Sequence, residues 1–196
     1  MIGCTSWLVP GTWLENAHLA QGLVDYEELL VASWDPDTQS TLEHELPELL
    51  TLDLQYAVHL PFSDAADAWD AYRFFEGHRF PALNYVLHPM AHWSDYAWGD
   101  RVALENLKDV VEPYERMVFD VGHHLLGKRF PDEWKSRVVE VHAMGVQDGK
   151  DHLALDPATA RVILPWVNDQ TLLTFEVFDL DALTTSLRTW EASCAG

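Results

Sequence analysis

Eight short apolar or β-branched runs recur along the chain: Ile2 to Val9, Val24 to Ser33, Leu54 to Leu60, Ala82 to His88, Arg101 to Leu107, Met117 to Gly122, Arg137 to Met144 and Leu172 to Phe178. The stretches between them read mostly as helices, among them Thr38 to Leu52, Asp64 to Gly77, Pro157 to Val167 and Asp179 to Ala192, with starts marked by Asp, Ser or Pro. Runs such as VALENL, MVFDVG and VVEVHAMG are nearly continuous in their hydrophobicity, which suits parallel strands covered on both faces. Alternation of eight such strands with helices predicts an α/β fold, a (β/α)8 TIM barrel. A doubly wound open sheet would ordinarily carry a Gly-rich phosphate loop, and neither G-x-G-x-x-G nor G-x-x-x-x-G-K-[ST] occurs. At 196 residues the barrel is compact. The spacings from His88 to Glu105 and from Glu105 to Asp120 leave room for helices of only one or two turns. With no internal repeat or Pro/Gly/Ser linker, residues 1–196 are expected to form a single domain.

Six of the runs close with a metal-type ligand: His59 in YAVHLP, His88 in YVLHP, Glu105 in VALEN, Asp120 in MVFDVGH, His142 in VVEVHAMG and Glu176 in LTFEVF. Residues two apart share a face of a strand. By that parity Ala57, Val86, Ala103, Val118, Glu140 and Thr174 should point into the barrel, and bulky Val58, Leu87, Leu104, Phe119, Val141 and Phe175 should face the helices. Glu140 then needs a buried partner, for which Arg101 is the candidate. Barrel active sites lie at the C-terminal ends of strands, where the six ligands converge. His123, three residues after Asp120, and the Asp151-His152 pair extend the set. Imidazoles and carboxylates without thiolates suit Zn2+, Mn2+ or Fe2+, and nine ligands suit two or three divalent ions. Such ions, bridged by Glu105 or Glu176, would acidify bound water and neutralise charge on a transferring phosphoryl group, so hydrolysis of a phosphate ester is the natural reaction.

Charge narrows the substrate. Lys plus Arg number 12 against 32 Asp plus Glu, a formal charge of −20, which argues against partners gripped through a bare phosphate backbone, nucleic acid and anionic membranes alike. Cys4 and Cys194 form neither a disulfide framework nor a C-x-x-C pattern and read as two reduced thiols. The opening MIGCTSWLVPG lacks the marks of a signal peptide, and no run approaches membrane-span length, so a cytoplasmic protein is expected. Nothing in the sequence specifies an oligomer.

The series His59, His88, Glu105-Asn106, Asp120-x-x-His123, His142, Asp151-His152 and Glu176 resembles, in the same order, the trinuclear zinc ligands of the endonuclease branch of the xylose isomerase-like TIM barrel superfamily, which also contains sugar isomerases and epimerases. That branch separates its loop Asp and His by one residue, whereas Asp151 and His152 are adjacent. A more specific likeness, carried by IGCTSWLVPG, VDYEELL, VHLP, ALENL, FDVGHHLLG, VHAMGVQDGKDHLAL and EVFDLDALTTSL, is to the cobamide-remodelling phosphodiesterases (CbiR-like proteins). This resemblance implies hydrolysis of the nucleotide-loop phosphodiester of a vitamin B12-type cofactor to cobinamide phosphate and an α-riboside. Glu105 and Glu176 are then candidate catalytic groups, with Lys150 as a phosphate contact. A bulky corrinoid can be held by apolar and aromatic contacts, and Trp7, Trp34 and Trp93, with Trp98, fall at or after strand ends where a rim would lie. Trp13, Trp69, Trp134, Trp166 and Trp190 read as packing residues, and His18, His44, His78, His92 and His124 as structural or surface ones. The alternatives are a metal-dependent sugar or sugar-phosphate isomerase or epimerase on the same fold, with Glu105 and Glu176 as bases, and a non-catalytic metal or corrinoid binder.

Overall fold

Each of the eight runs contains a strand: β1 (Ile2–Thr5), β2 (Tyr26–Leu30), β3 (Gln55–His59), β4 (Tyr85–Leu87), β5 (Val102–Glu105), β6 (Met117–Asp120), β7 (Val138–Ala143) and β10 (Leu172–Phe175). In the computed structural model, which describes residues 1–195, they pair in parallel around a closed barrel in the order β1-β10-β7-β6-β5-β4-β3-β2. The helices are α1 (Trp13–Ala20), α2 (Pro36–Leu49), α3 (Ala65–Gly77), α4 (Val121–Leu126), α5 (Pro157–Ile163) and α6 (Leu180–Cys194). Side-chain oxygens cap every start: Thr12 in a capping box with Glu15, then Asp35, Asp64, Asp120, Asp156 and Asp179, each accepting from backbone N–H groups of the first turn. Pro36 and Pro157, at the first helical position, lack an N–H that would otherwise be unsatisfied. No described helix is long and apolar enough to cross a membrane.

The parity expected from sequence is the parity observed. Val86, Ala103 and Val118 pack together inside the barrel. Val58, Leu87 and Leu104 join one core cluster beneath the helices, and Phe119, Val141 and Phe175 join another. Two expectations need correction. Arg101 does not meet Glu140; it pairs with Glu76 of α3 and donates to the Ala82 carbonyl at 2.9 Å. Arg101 immediately precedes β5, so it escapes the strand's alternation and turns toward half-exposed partners. Glu140 instead accepts from Asn84 (2.8 Å) and Thr174 (2.5 Å), with the Tyr26 hydroxyl 2.7 Å from Thr174. The middle crossovers are also shorter than the spacing allows: β4 to β5 contains one 3-10 turn (Trp93–Asp95), and the β5 to β6 connection carries no helix. Aromatic rings of the connections take the place of a helical cover there: Trp93, Trp98 and Tyr114 pack on the cluster that includes Val102 and Leu104, and Trp98 stands edge-on to Trp69 (5.2 Å) and Tyr72 (5.7 Å) of α3.

Tyr26 fills the lower barrel against β1. A Cβ added at Gly3 would lie 2.4 Å from its ring, and the hydroxyl's partners hold that ring in place. Gly3→Ala is therefore expected to destabilise the fold by about 1–3 kcal/mol, with a Tm lower by roughly 3–10 °C in a thermal melt. An unchanged Tm would show that the ring can yield.

Candidate metal centre

All six strand-end candidate ligands meet at the C-terminal mouth of the barrel. Glu105, last residue of β5, is buried at its centre. Its Oε2 lies 3.3 Å from His59 Nε2 and 3.0 Å from His88 Nε2, while Oε1 lies 3.3 Å from His123 Nδ1 and 3.7 Å from His142 Nδ1. His142 Nδ1 also approaches Glu176 Oε2 (3.4 Å) and Asp120 Oδ2 (3.8 Å). The ligand atoms gather into His59/His88/Glu105 on one side and Asp120/His142/Glu176 on the other, with Glu105, Asp120 and His123 a further close trio.

Local structure aims several of these groups. His59 Nδ1 lies 3.0 Å from the Leu60 carbonyl and His123 Nδ1 2.8 Å from the Asn106 carbonyl. In the neutral ring, donation to those carbonyls leaves Nε2 as the nitrogen free for a cation, the arrangement of metal-binding histidines. Asp120 divides its carboxylate, Oδ1 capping α4 through the His123 N–H at 2.6 Å and Oδ2 facing the cluster. Asn106 donates to the Asp120 carbonyl and accepts from its N–H, locking β5 to β6 beside the site.

The chemistry of the donor set fits cations. Buried polar atoms ordinarily find hydrogen bonds. Here Glu105 Oε2, Asp120 Oδ2 and both nitrogens of the fully buried His142 have no hydrogen-bond partner, although they lie close to one another. Divalent ions would satisfy the carboxylate oxygens and one nitrogen of His142 together.

Without ions the cluster holds protons. Burial works against charge on His123, yet Glu105 and Asp120 raise its pKa to about 10. His142 is likewise pushed well up by Glu28, Glu105 and Glu176 against its burial. Burial would raise Glu105 and Glu176, but neighbouring imidazoles, His88 and His142 for Glu105 and His142 for Glu176, hold both well below the usual carboxylate range. Burial lifts Asp120 to about 7. Ligation requires neutral imidazole and ionised carboxylate. At pH 7 metal uptake should therefore expel protons from His123 and His142 and part of one from Asp120, and apparent affinity should rise with pH. Titration calorimetry in two buffers of different ionisation enthalpy measures this; release of less than half a proton per chain would contradict it.

The other sequence candidates separate. The loop after β7 forms a hairpin, β8 (Gly145–Gln147) and β9 (Lys150–Leu153), closed by Asp148-Gly149 with both residues at positive φ. That Asp-Gly pair is a hairpin signal available in the sequence. Adjacent strand residues point to opposite faces, but His152 departs from strand geometry with φ +59°, and the Asp151 and His152 side chains meet. His152 Nε2 is 3.6 Å from Glu176 Oε2 and Nδ1 is 3.3 Å from Asp151 Oδ1. Lys150 is exposed at the start of β9, whereas Lys108, which sequence reasoning passed over, reaches Asp151 Oδ2 at 2.7 Å.

Trp7 is 45% exposed and lies 5.8 Å from Phe178, whose ring stacks on His152 at 4.7 Å. Trp34 packs edge-on to Phe74, and Trp93 donates to Glu112 and packs on Tyr114, so both are engaged elsewhere. Phe62, 42% exposed, lies against His88 at 5.3 Å. Phe62 and Phe178 were hidden in sequence because an exposed aromatic two or three residues past a strand resembles a core one. Glu28 was hidden too. It lies inside β2, fully buried, with both oxygens lacking hydrogen bonds and one of them 3.4 Å from His142 Nε2.

No family model matches the chain, and no curated protein matches it in sequence. Among solved structures it is similar to a D-tagatose 3-epimerase-like protein, with TM-score 0.64 and 15% identity over 99% of this chain and 97% of that one. It is also similar to the IolI protein with a bound zinc atom, with TM-score 0.67 and 12% identity over 99% and 98% of the two chains. At these identities the likeness establishes a shared TIM-barrel fold.

Proposed function

We propose that the protein is a metal-dependent phosphodiesterase that hydrolyses the nucleotide-loop diester of a cobamide to cobinamide phosphate and an α-riboside. The observation that carries the hydrolytic reading is the gathering of buried imidazoles and carboxylates around Glu105, with lone pairs that no hydrogen bond satisfies. His59, His88 and Glu105 would hold one ion, and Asp120, His142 and Glu176 a second, as Zn2+, Mn2+ or Fe2+. Bound there, such ions supply Lewis acidity toward a phosphoryl oxygen and make water acidic near neutral pH. The chain's own residues orient and select. Glu105 ties the two ligand sets together, and Glu176 stands between His142 and His152, at the edge where the hairpin meets the mouth. Trp7, Phe62 and Phe178 offer exposed aromatic faces beside the ligand histidines, a surface suited to a large amphipathic ring. The choice of a cobamide comes from the motif resemblance, and the net charge of −20 supports a compact substrate over duplex DNA.

A second reading is favoured by the D-tagatose 3-epimerase-like neighbour and by two buried glutamates, Glu105 and Glu176, approaching the same imidazole at 3.7 and 3.4 Å: epimerisation of a sugar or sugar phosphate. Incubating the metal-loaded protein with a cobamide and, separately, with ketoses decides between them by chromatography of the products. Cobinamide phosphate is expected; an intact cobamide with an epimerised ketose would replace the first reading by the second.

A further inference from the structure

The loop between β1 and α1 presents one large aromatic side chain, Trp7, to solvent and is tied down on both sides of it. Ahead of Trp7, the Ser6 N–H donates to the Glu28 carbonyl at 3.0 Å and the Ser6 hydroxyl accepts from the Leu30 N–H at 2.9 Å. Behind it, Leu8 is buried in the core, and Asn16 of α1, itself fully buried, grips the loop backbone with its whole amide. Asn16 Oδ1 accepts from the Val9 N–H at 3.0 Å, and Nδ2 donates to the carbonyls of Val9 (3.3 Å) and Thr12 (2.9 Å). An exposed indole on a backbone fixed in this way gives up little conformational entropy when a ligand packs on it.

Trp7 and Phe178, both exposed, stand 5.8 Å apart and, with Val9, Pro10 and Gly11, line a cleft of about 430 Å3. That volume lies in the lower part of the range of small-molecule sites, enough for a bicyclic heterocycle and too small for a corrin macrocycle. Phe178 connects the cleft to the centre: its ring stacks on His152, whose Nε2 is 3.6 Å from Glu176 Oε2. The cleft therefore adjoins the Asp120/His142/Glu176 set. Phe62, also exposed, lies 5.3 Å from His88 and 5.8 Å from His59, beside the His59/His88/Glu105 set. A phosphodiester has two arms, and each ligand set has its own aromatic neighbour.

We propose that Trp7 and Phe178 form a subsite for the smaller, planar arm of the substrate, an aromatic base joined to a ribose, and that Asn16 is the positioning residue that holds Trp7 there. The identity of the substrate rests on the phosphodiesterase reading. The larger arm then lies on the Phe62 side. Stacking on an indole face asks for no particular hydrogen-bonding pattern on the ring, so the subsite accepts flat bases and selects by size. Neither Trp7 nor Asn16 is needed for bond cleavage, so their loss should fall on KM and leave kcat largely intact.

Calorimetric titration of the metal-loaded, full-length protein with a benzimidazole α-riboside reads the subsite without turnover, and hydrolysis of the corresponding cobamide reads its use. Trp7→Ala should weaken riboside binding about tenfold or more and raise KM for the cobamide by a similar factor, with kcat within about threefold of wild type. Trp7→Phe should recover most of the loss, and inhibition by cobinamide phosphate should be the same in Trp7→Ala as in wild type. Asn16→Ala should show the same KM pattern, and in the Trp7→Ala background it should add less than about twofold, because its effect runs through the indole. Asn16→Asp, which keeps the acceptor for the Val9 N–H and loses both donors, replaces it if the alanine variant unfolds. Riboside that fails to bind wild type or binds Trp7→Ala equally well, or cobinamide phosphate inhibition lost in its place, would overturn the subsite. An Asn16 effect of full size without the indole would reduce Asn16 to a support of the fold. Wild type that binds the riboside, loses it in Trp7→Ala and leaves the cobamide intact would defeat the phosphodiesterase reading and not the subsite.

Discussion

Glu105→Gln is expected to leave the protein folded, reduce its retained metal from about two ions per chain to fewer than one, and lower turnover by about a thousandfold, on the order of 4 kcal/mol of lost transition-state stabilisation. The reason is position. Glu105 is the one side chain whose two oxygens face opposite ligand sets, His59 and His88 on one side and His123 and His142 on the other. An amide has the same shape but offers a single oxygen and carries no charge to offset two cations. Circular dichroism and metal analysis separate this from misfolding. Full metal content in a folded variant would mean that the centre is not built around this residue.

Glu28→Gln carries the second-largest expected effect, and it falls mainly on the metal-bound state. Glu28 lies beneath the cluster with both oxygens unpartnered, 3.4 Å from His142 Nε2, so on metal binding it can hold the proton on that nitrogen and direct Nδ1 to the cation. Loss of such a partner costs about 10- to 100-fold in metal affinity. In the metal-free protein the same carboxylate helps hold a proton on His142 and, added to burial, lifts Glu140 to about 7. Removing it gives up the first interaction and relieves the second, so the metal-free Tm should change little, while the Tm increase brought by metal shrinks by the equivalent of about 1.4–2.7 kcal/mol, following the mass-action link between binding and stability. Unchanged Zn2+ affinity would reduce Glu28 to a packing residue.

The barrel was legible in the sequence because parallel strands buried on both faces leave nearly unbroken apolar runs, and ligands at their ends stand out against that background. Asp120 was legible as a strand end, and the structure adds a second role, the N-cap of α4. Glu28 did not stand out, since it sits two residues before the end of β2, in a run whose last residue is Leu30. The Lys108–Asp151 pair joins the β5–β6 connection to β9 through a contact that no local pattern encodes. Arg101 misled because parity holds only within a strand, and Arg101 lies just outside β5. The middle crossovers could be bounded by counting residues, but whether the available length becomes a helix depends on what else covers the strands. Here Trp93, Trp98 and Tyr114, from the connections themselves, pack on the cluster that includes Val102 and Leu104.

That aromatic cladding bears on what the architecture needs. Between β5 and β6 the polypeptide returns without a helix, yet the cylinder closes with β5 and β6 in parallel register. The coat of helices is therefore dispensable segment by segment, provided some nonpolar lining shields the bare staves. The ring of strands is the irreducible element, and it is the ring that brings the chemistry of distant segments to a common rim.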